Sequence, residues 1–366
     1  MGQRSVGIVG LGVILGAYLE TLRDHPDIRI AAVADLHPDR AREIAAGIPG
    51  CRALTVDELM VDDGIETVLN LTIPAAHADI ALRAIAAGKD VYGEKPLAAT
   101  LEDARFVVAA AADAQVGLGC APDTVLGTGT QTARLAVESG LIGRPTGASA
   151  VFIAPGHEAW HPHPDFYYRQ GGGPLLDMGP YYVSSLVHIL GPVVSVIGAS
   201  GRTRDERVIA SGERAGERIP VEVDTHVAAV LVHSDGAVTT LTTSFDGART
   251  QAPPIEIHGE RGTLAVPDPN TFGGDVLLAE PGIDGWRTLE PTAGFVDGAR
   301  GAGLIDFASR GRDGVRASGA IALHVLEVMS AILRSSKTGQ AVPILSRPSL
   351  PELVPLTPAQ TWRGIR

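Results

Sequence analysis

The 366-residue chain is 45% hydrophobic and 20% charged with a formal net charge of -12, a balance that excludes dominant disorder and provides for two domains with a large core. That charge repels nucleic-acid backbones and anionic membranes, so neither is an expected partner, and a small neutral substrate is. Cys51 and Cys120 are too few for a disulfide framework or a thiolate metal cluster, and no apolar stretch is both long and glycine-free enough to suggest a membrane helix.

The chain opens with a strand over 6–9, then Gly10-Leu-Gly12-Val13-Ile14-Leu15-Gly16, a helix, and a second apolar strand over 30–34 that ends on Asp35. This order reads as a dinucleotide site. Gly10 would supply the tight turn, Gly12 would let the backbone approach a pyrophosphate, and the amides opening the helix would face its negative charge. Asp35 would accept bonds from the adenosine ribose. A carboxylate there repels a ribose phosphate, so NAD is expected over NADP, with Arg40 and Arg42 leaving room for the latter. The third glycine arrives one position late, with Leu15 in its usual place. A secretory signal is the alternative for this segment, since Arg4 precedes an apolar run over 6–19. The glycine spacing and the missing small-x-small cleavage site argue against it, and the cytoplasm is the default expectation.

Further strands are expected over 67–71, 90–92 and 116–120, alternating with alanine-rich helices over 38–46, 77–87 and 101–112. Such alternation implies a doubly wound parallel sheet with helices on both faces, an α/β Rossmann domain over 1–122. From 123 the pattern changes. Strands over 146–152, 193–199, 226–232, 237–245, 255–259 and 263–266 are separated by turns such as Ser234-Asp235-Gly236, which predicts an α+β domain over 123–366 with an open, mostly antiparallel sheet. The charged stretch 202–218 is expected as a solvated loop, and a final helix over 317–335 carries an apolar stripe.

Glu94-Lys95-Pro96 directly follows the fourth expected strand, where doubly wound sheets carry ligands, so Lys95 would lie near a nicotinamide. Pro96 holds Lys95 out of helical geometry and is a candidate for a cis bond. Together with the glycine turn, Asn70-Leu71-Thr72-Ile73-Pro74 with His77, and Gly171-Gly-Gly-Pro-Leu-Leu-Asp177-Met-Gly-Pro-Tyr181, this chain resembles the Gfo/Idh/MocA family of sugar and inositol dehydrogenases over nearly its whole length. The resemblance implies cofactor contacts from Gly10, Gly12, Val13, Ile14, Asp35, Leu71, Thr72, Pro74, His77, Glu94 and Lys95. It also implies catalysis by Lys95, Asp177 and Tyr181, and a homo-oligomer, dimer or tetramer, formed through the C-terminal sheet. Many members have histidine where Tyr181 stands. Relatives resembling glucose-fructose oxidoreductase and dihydrodiol dehydrogenase have tyrosine, so the departure changes the proton carrier and keeps the chemistry.

Removing hydride from a carbinol carbon leaves a hydroxyl proton to be taken up. Tyr181 is the candidate base, Lys95 the cation that favours its phenolate and polarises the substrate oxygen, and Asp177 the acceptor for a neighbouring hydroxyl. A helix through this segment would put Asp177 and Tyr181 on one face, continued by Ser184 or Ser185 and His188, with Tyr182 pointing elsewhere. Pro180 is the local obstacle to that helix. His157-Glu158-Ala159-Trp160-His161 matches a zinc-protease pattern, but prolines at 155, 162 and 164 leave barely a turn, so no metal is expected. Trp160 is a candidate platform for sugar C–H groups, and Asp123 is a candidate hydroxyl ligand, with helix capping as its alternative role. A dehydrogenase acting on a secondary hydroxyl of a sugar, cyclitol or glycoside is thus expected. The alternatives are a glycoside-cleaving enzyme that recycles its NAD within one turnover, and a cofactor-binding protein without catalysis.

Overall fold

The computed structural model describes residues 3–365, which divide into two compact units. The first comprises 1–128, 292–323 and 349–366, and the second 129–291 and 324–348. The expected boundary at 122/123 therefore shifts to 128/129, and the expectation that everything beyond it is one domain is corrected, because two later segments return to the first unit. Backbone bonds hold them there: Phe295 N donates to Leu126 O at 2.9 Å and Gly294 N to Val354 O at 2.9 Å. Near the end, Trp362 Nε1 donates to Val296 O at 2.8 Å while His25 Nε2 donates to Trp362 O at 2.9 Å.

In the first unit the strands are β1 (Arg4–Val9), β2 (Ile28–Ala34), β3 (Arg52–Ala53), β4 (Thr67–Asn70), β5 (Asp90–Gly93) and β6 (Leu118–Cys120). All pair in parallel in the order β3-β2-β1-β4-β5-β6. Parallel strands are buried on both faces, which accounts for near-continuous apolar runs such as that in β2. The order reverses between β1 and β4, the switch point at which such sheets bind ligands. Helices α1 (Leu15–Leu22), α2 (Pro38–Ala46), α3 (Val56–Val61), α4 (Pro74–Ala86) and α5 (Leu101–Asp113) connect the strands. Their starts are chemically marked: Pro38 and Pro74 open α2 and α4, Thr55 and Glu58 form a reciprocal cap on α3, and Thr100 caps α5. The short β3 and α3 escaped the sequence pattern.

The second unit holds α6 (Thr128–Glu138), β7 (Pro145–Ile153), α7 (Pro174–Leu190), β8 (Val193–Gly201), β9 (Glu206–Val208), β10 (Arg218–Pro220), β11 (His226–His233), β12 (Val238–Ser244), β13 (Ile255–Gly259), β14 (Thr263–Val266), β15 (Val276–Ala279) and β16 (Arg287–Leu289). Later come α8 (Ala302–Arg310) in the first unit, α9 (Gly319–Thr338), whose residues are shared by the two units, and β17 (Val342–Pro343) in the second. Among the described residues one large sheet runs β16-β15-β14-β13-β7-β12-β11-β8-β17, antiparallel except at β12 and β7. Helix α7 lies against β7, β11 and β12. Helix α9 is long and apolar enough to cross a membrane, which the sequence pattern did not suggest, but most of its apolar window is buried.

The charged stretch 202–218 is mostly exposed, as expected, but it is not all loop. It contains β9, pairs with β10, and delivers Ile209 to a core of Tyr168, Ile219, Val221 and Phe245. Arg207 within it is only 2% exposed, because Glu158 and Asp246 neutralise it inside the fold.

Candidate active site

At the end of β1, Gly10 has φ +92, and a Cβ there would sit 2.7 Å from the backbone of Leu71 and Thr72. Only glycine fits. Around Gly12, by contrast, a Cβ would meet no atom within 4 Å, so the turn presents open backbone. Ile14 stands at the N-cap of α1, where Leu15 N bonds back to Gly12 O at 3.3 Å and Ala17 N to Ile14 O at 3.1 Å. Val13 is fully exposed, and Leu36 and Ile73, just past the ends of β2 and β4, are 90% and 69% exposed. Apolar side chains left uncovered at strand ends suit the flat faces of a dinucleotide.

Asp35 Oδ2 accepts from Leu11 N at 2.8 Å and Oδ1 from His37 N at 2.9 Å, which fixes its carboxylate at the end of β2. Arg40 donates to Leu11 O, and Arg42 pairs with Asp39 at the surface. Past β4, Asn70 Oδ1 accepts from the Thr72 hydroxyl at 2.6 Å and its amide at 3.3 Å, and Pro74 opens α4. His77, expected to touch the cofactor, is buried with its ring nitrogens facing Pro96 O at 2.6 Å and Thr72 O at 2.9 Å. It braces the two ligand-facing loops to each other rather than reaching out from them.

Glu94 Oε1 accepts from the Tyr18 hydroxyl and Oε2 from Lys95 N, each at 2.9 Å, so the segment carrying Lys95 is fastened to α1. Lys95 is half-buried, and its bond to Pro96 is cis. Asp123 lies differently from expectation. It is fully buried, its Oδ2 accepts from Gly301 N at 2.8 Å and Gly303 N at 3.2 Å, and Arg300 lies 3.5 Å from Oδ1. Capping the entry to α8 occupies this carboxylate, so the substrate role assigned from position alone is corrected.

In the second unit, α7 starts after Gly173, at φ +90, with Pro174 as its first residue, and runs unbroken through Pro180 to Leu190. The proline's missing amide is absorbed in a helix buried along nearly its whole length. Asp177 and Tyr181 are thus one turn apart on one face, and Tyr182 turns away to pack edge-on against Phe152 at 6.2 Å. Burial pushes the Tyr182 phenol above its usual range. Asp177 Oδ2 lies 2.7 Å from His157 Nε2, a partner that sequence spacing did not suggest.

His157–Ala159 is a single 3-10 turn. Its Glu158 is taken by Arg207 and the Tyr168 hydroxyl, so the three residues of the zinc-like pattern are not presented together. Trp160 is 59% exposed and makes T-shaped contacts with the rings of His157 and His161.

Family models match both parts of the chain: "Oxidoreductase family, NAD-binding Rossmann fold" over residues 4–121 and "GFO/IDH/MocA C-terminal domain" over 130–265. The chain belongs to the Gfo/Idh/MocA family. Within the family it is 30% identical to a 1,5-anhydro-D-fructose reductase of Ensifer adhaerens, over 81% of this chain and 84% of that one. It is 28% identical to a myo-inositol 2-dehydrogenase of Thermotoga maritima, over 71% and 74% respectively. A levoglucosan dehydrogenase structure with NADH and L-sorbose matches with a TM-score of 0.79 at 21% identity, over 94% of this chain and all of the other, a likeness of fold. The chain is therefore an oxidoreductase with an NAD-binding Rossmann fold, and the glycine turn, the fixed Asp35 and the uncovered apolar side chains fit that cofactor.

Proposed function

We propose that this oxidoreductase moves hydride between a secondary hydroxyl or carbonyl of a sugar or cyclitol and NAD, with Lys95, Asp177 and Tyr181 as the reacting groups. The observation that carries the proposal is the pairing of Asp177 and Tyr181 one turn apart on α7, in a chain whose NAD-binding unit presents Lys95 at the end of β5. NAD supplies the hydride acceptor. Tyr181 takes the hydroxyl proton, the Lys95 ammonium favours the phenolate and polarises the substrate oxygen, and Asp177 accepts a bond from an adjacent hydroxyl. Trp160 offers its exposed ring to the C–H face of the substrate. Named relatives that reduce 1,5-anhydro-D-fructose or dehydrogenate myo-inositol support this substrate class. No named relative supports the glycoside-cleaving alternative. The open sheet carries exposed Ile197, Val230 and Val238, which suits association between copies of the chain.

The purified chain should be given NAD with myo-inositol or levoglucosan, and NADH with 1,5-anhydro-D-fructose, with NADP and NADPH in parallel. Absorbance of reduced cofactor should change with at least one substrate, and inertness toward all three and their close relatives would overturn the substrate class. Lys95→Ala and Tyr181→Phe should each cut kcat by about 10²–10⁴-fold, far more than either weakens NAD binding. Full turnover in either would remove that residue from the mechanism.

A further inference from the structure

We propose that His157 is a positioning residue that orients the Asp177 carboxylate for the reaction, and that a buried ion cluster exists to hold His157 in place. The proposal rests on the role given to Asp177 above. His157 is nine-tenths buried, and its Nε2 lies 2.7 Å from Asp177 Oδ2. An ionised carboxylate only accepts, so the bond places the imidazole proton on Nε2. The ring has little freedom, being packed against Tyr167 at 4.1 Å and Phe245 at 4.6 Å between centroids. One carboxylate oxygen is thereby fixed, which sets the direction of the other.

The clamp on either side of His157 is unusual. Arg207 donates to Pro155 O at 3.2 Å, two residues before it, and to Glu158 Oε1 at 2.8 Å, one residue after it. The same guanidinium reaches Phe245 O at 3.2 Å and pairs with Asp246, whose Oδ2 accepts from the Thr225 hydroxyl at 2.6 Å. The Tyr168 hydroxyl closes on Glu158, and Gly156, at φ +104, leaves no room for a side chain: a Cβ would lie 2.3 Å from Glu158 Oε2. Burying three charges costs desolvation that an apolar cluster would avoid. What the cluster provides is a backbone pinned on both sides of one histidine.

Two readouts test this. In full-length protein with 15N-labelled histidine, NMR should show a slowly exchanging imidazole Nε2 proton, separate from that of His25, that is absent in His157→Gln and exchanges rapidly in Asp177→Ala. A His157 that carries no Nε2 proton in the unmutated chain overturns the proposal whether or not a substrate has been found. With whichever of the three substrates is turned over, His157→Leu should lose about a hundredfold in kcat/KM with NAD affinity unchanged. His157→Gln, which keeps a donor, should recover at least tenfold of that loss and stays informative if the leucine variant fails to fold. A leucine variant with full activity beside a crippled Asp177→Ala overturns the positioning role and leaves the proposed function standing. An unimpaired Asp177→Ala removes the role of Asp177 itself, and with it this inference.

Discussion

The Tyr18 hydroxyl donates to Glu94 Oε1 across 2.9 Å, so the helix that follows the glycine turn is bonded directly to the residue before Lys95. Burial, and next the Glu94 charge, raise the phenol well above its usual value. Tyr18→Phe strands the carboxylate oxygen and should lower unfolding free energy by about 1–2 kcal/mol, measured by urea titration. The sign of the pH effect follows from the raised value. The stabilisation is complete below the ordinary phenol range and is lost as pH climbs above about 10. The phenylalanine variant should show a shallower alkaline decline, and parallel curves would count against the bond.

Gly10 and Gly12 separate stability from binding. Gly10→Ala combines a positive φ with a 2.7 Å approach to Leu71 and Thr72 backbone, and should cost at least about 2 kcal/mol of stability. Gly12→Ala meets nothing within 4 Å and should melt with the parent chain, yet weaken NAD binding about tenfold or more by filling the approach to the pyrophosphate. A fluorescence titration with NADH reads the second effect. Undiminished affinity in Gly12→Ala would place the cofactor elsewhere.

What the sequence disclosed was local. A strand ending in glycine, a second ending in Asp35, and Glu94-Lys95-Pro96 at the end of a third carry their meaning within a few residues, because parallel sheets put ligands at consecutive strand ends. The contact between His157 and Asp177 spans 20 positions, and Arg207 reaches Glu158 and Asp246 from 49 and 39 positions away. Nothing in their spacing announces either. The charged neighbours of Arg207 are exposed, as a solvated stretch implies, but Arg207 itself and the hairpin residues Ile209 and Ile219 are buried, which their composition hid. Asp123 was placed at the right strand end, but the amides that occupy it come from 301 and 303, beyond the reach of any local pattern.

Arg207 also yields a stability prediction. Its side chain is 1% exposed, with Glu158 and Asp246 at 9% and 11%. Arg207→Met leaves two nearly buried carboxylates unpaired and should cost about 3–5 kcal/mol. Arg207→Lys keeps the charge but not the fork that spans Pro155, Glu158, Phe245 and Asp246, so it should recover only part of that loss. Calorimetry on both variants measures the ordering, and a lysine variant as stable as the parent would show that charge alone matters.

Acid sensitivity should come from histidines buried in the second unit. Burial, and then Arg134, bring His188 from 6.5 down to about 3, and burial brings His324 to about 4, with Glu327 opposing. Between the folded and ordinary values the unfolded chain binds more protons than the folded one, so stability rises with pH across that window and is lost as pH falls below about 6.5. From His188 alone the loss between pH 7 and pH 5 should be about 2 kcal/mol. His188→Leu removes the group that must be kept neutral. Urea midpoints at the two pH values should therefore lie closer together in that variant than in the parent chain. An unchanged gap would assign the acid sensitivity to other groups, with His324→Leu as the next variant to measure.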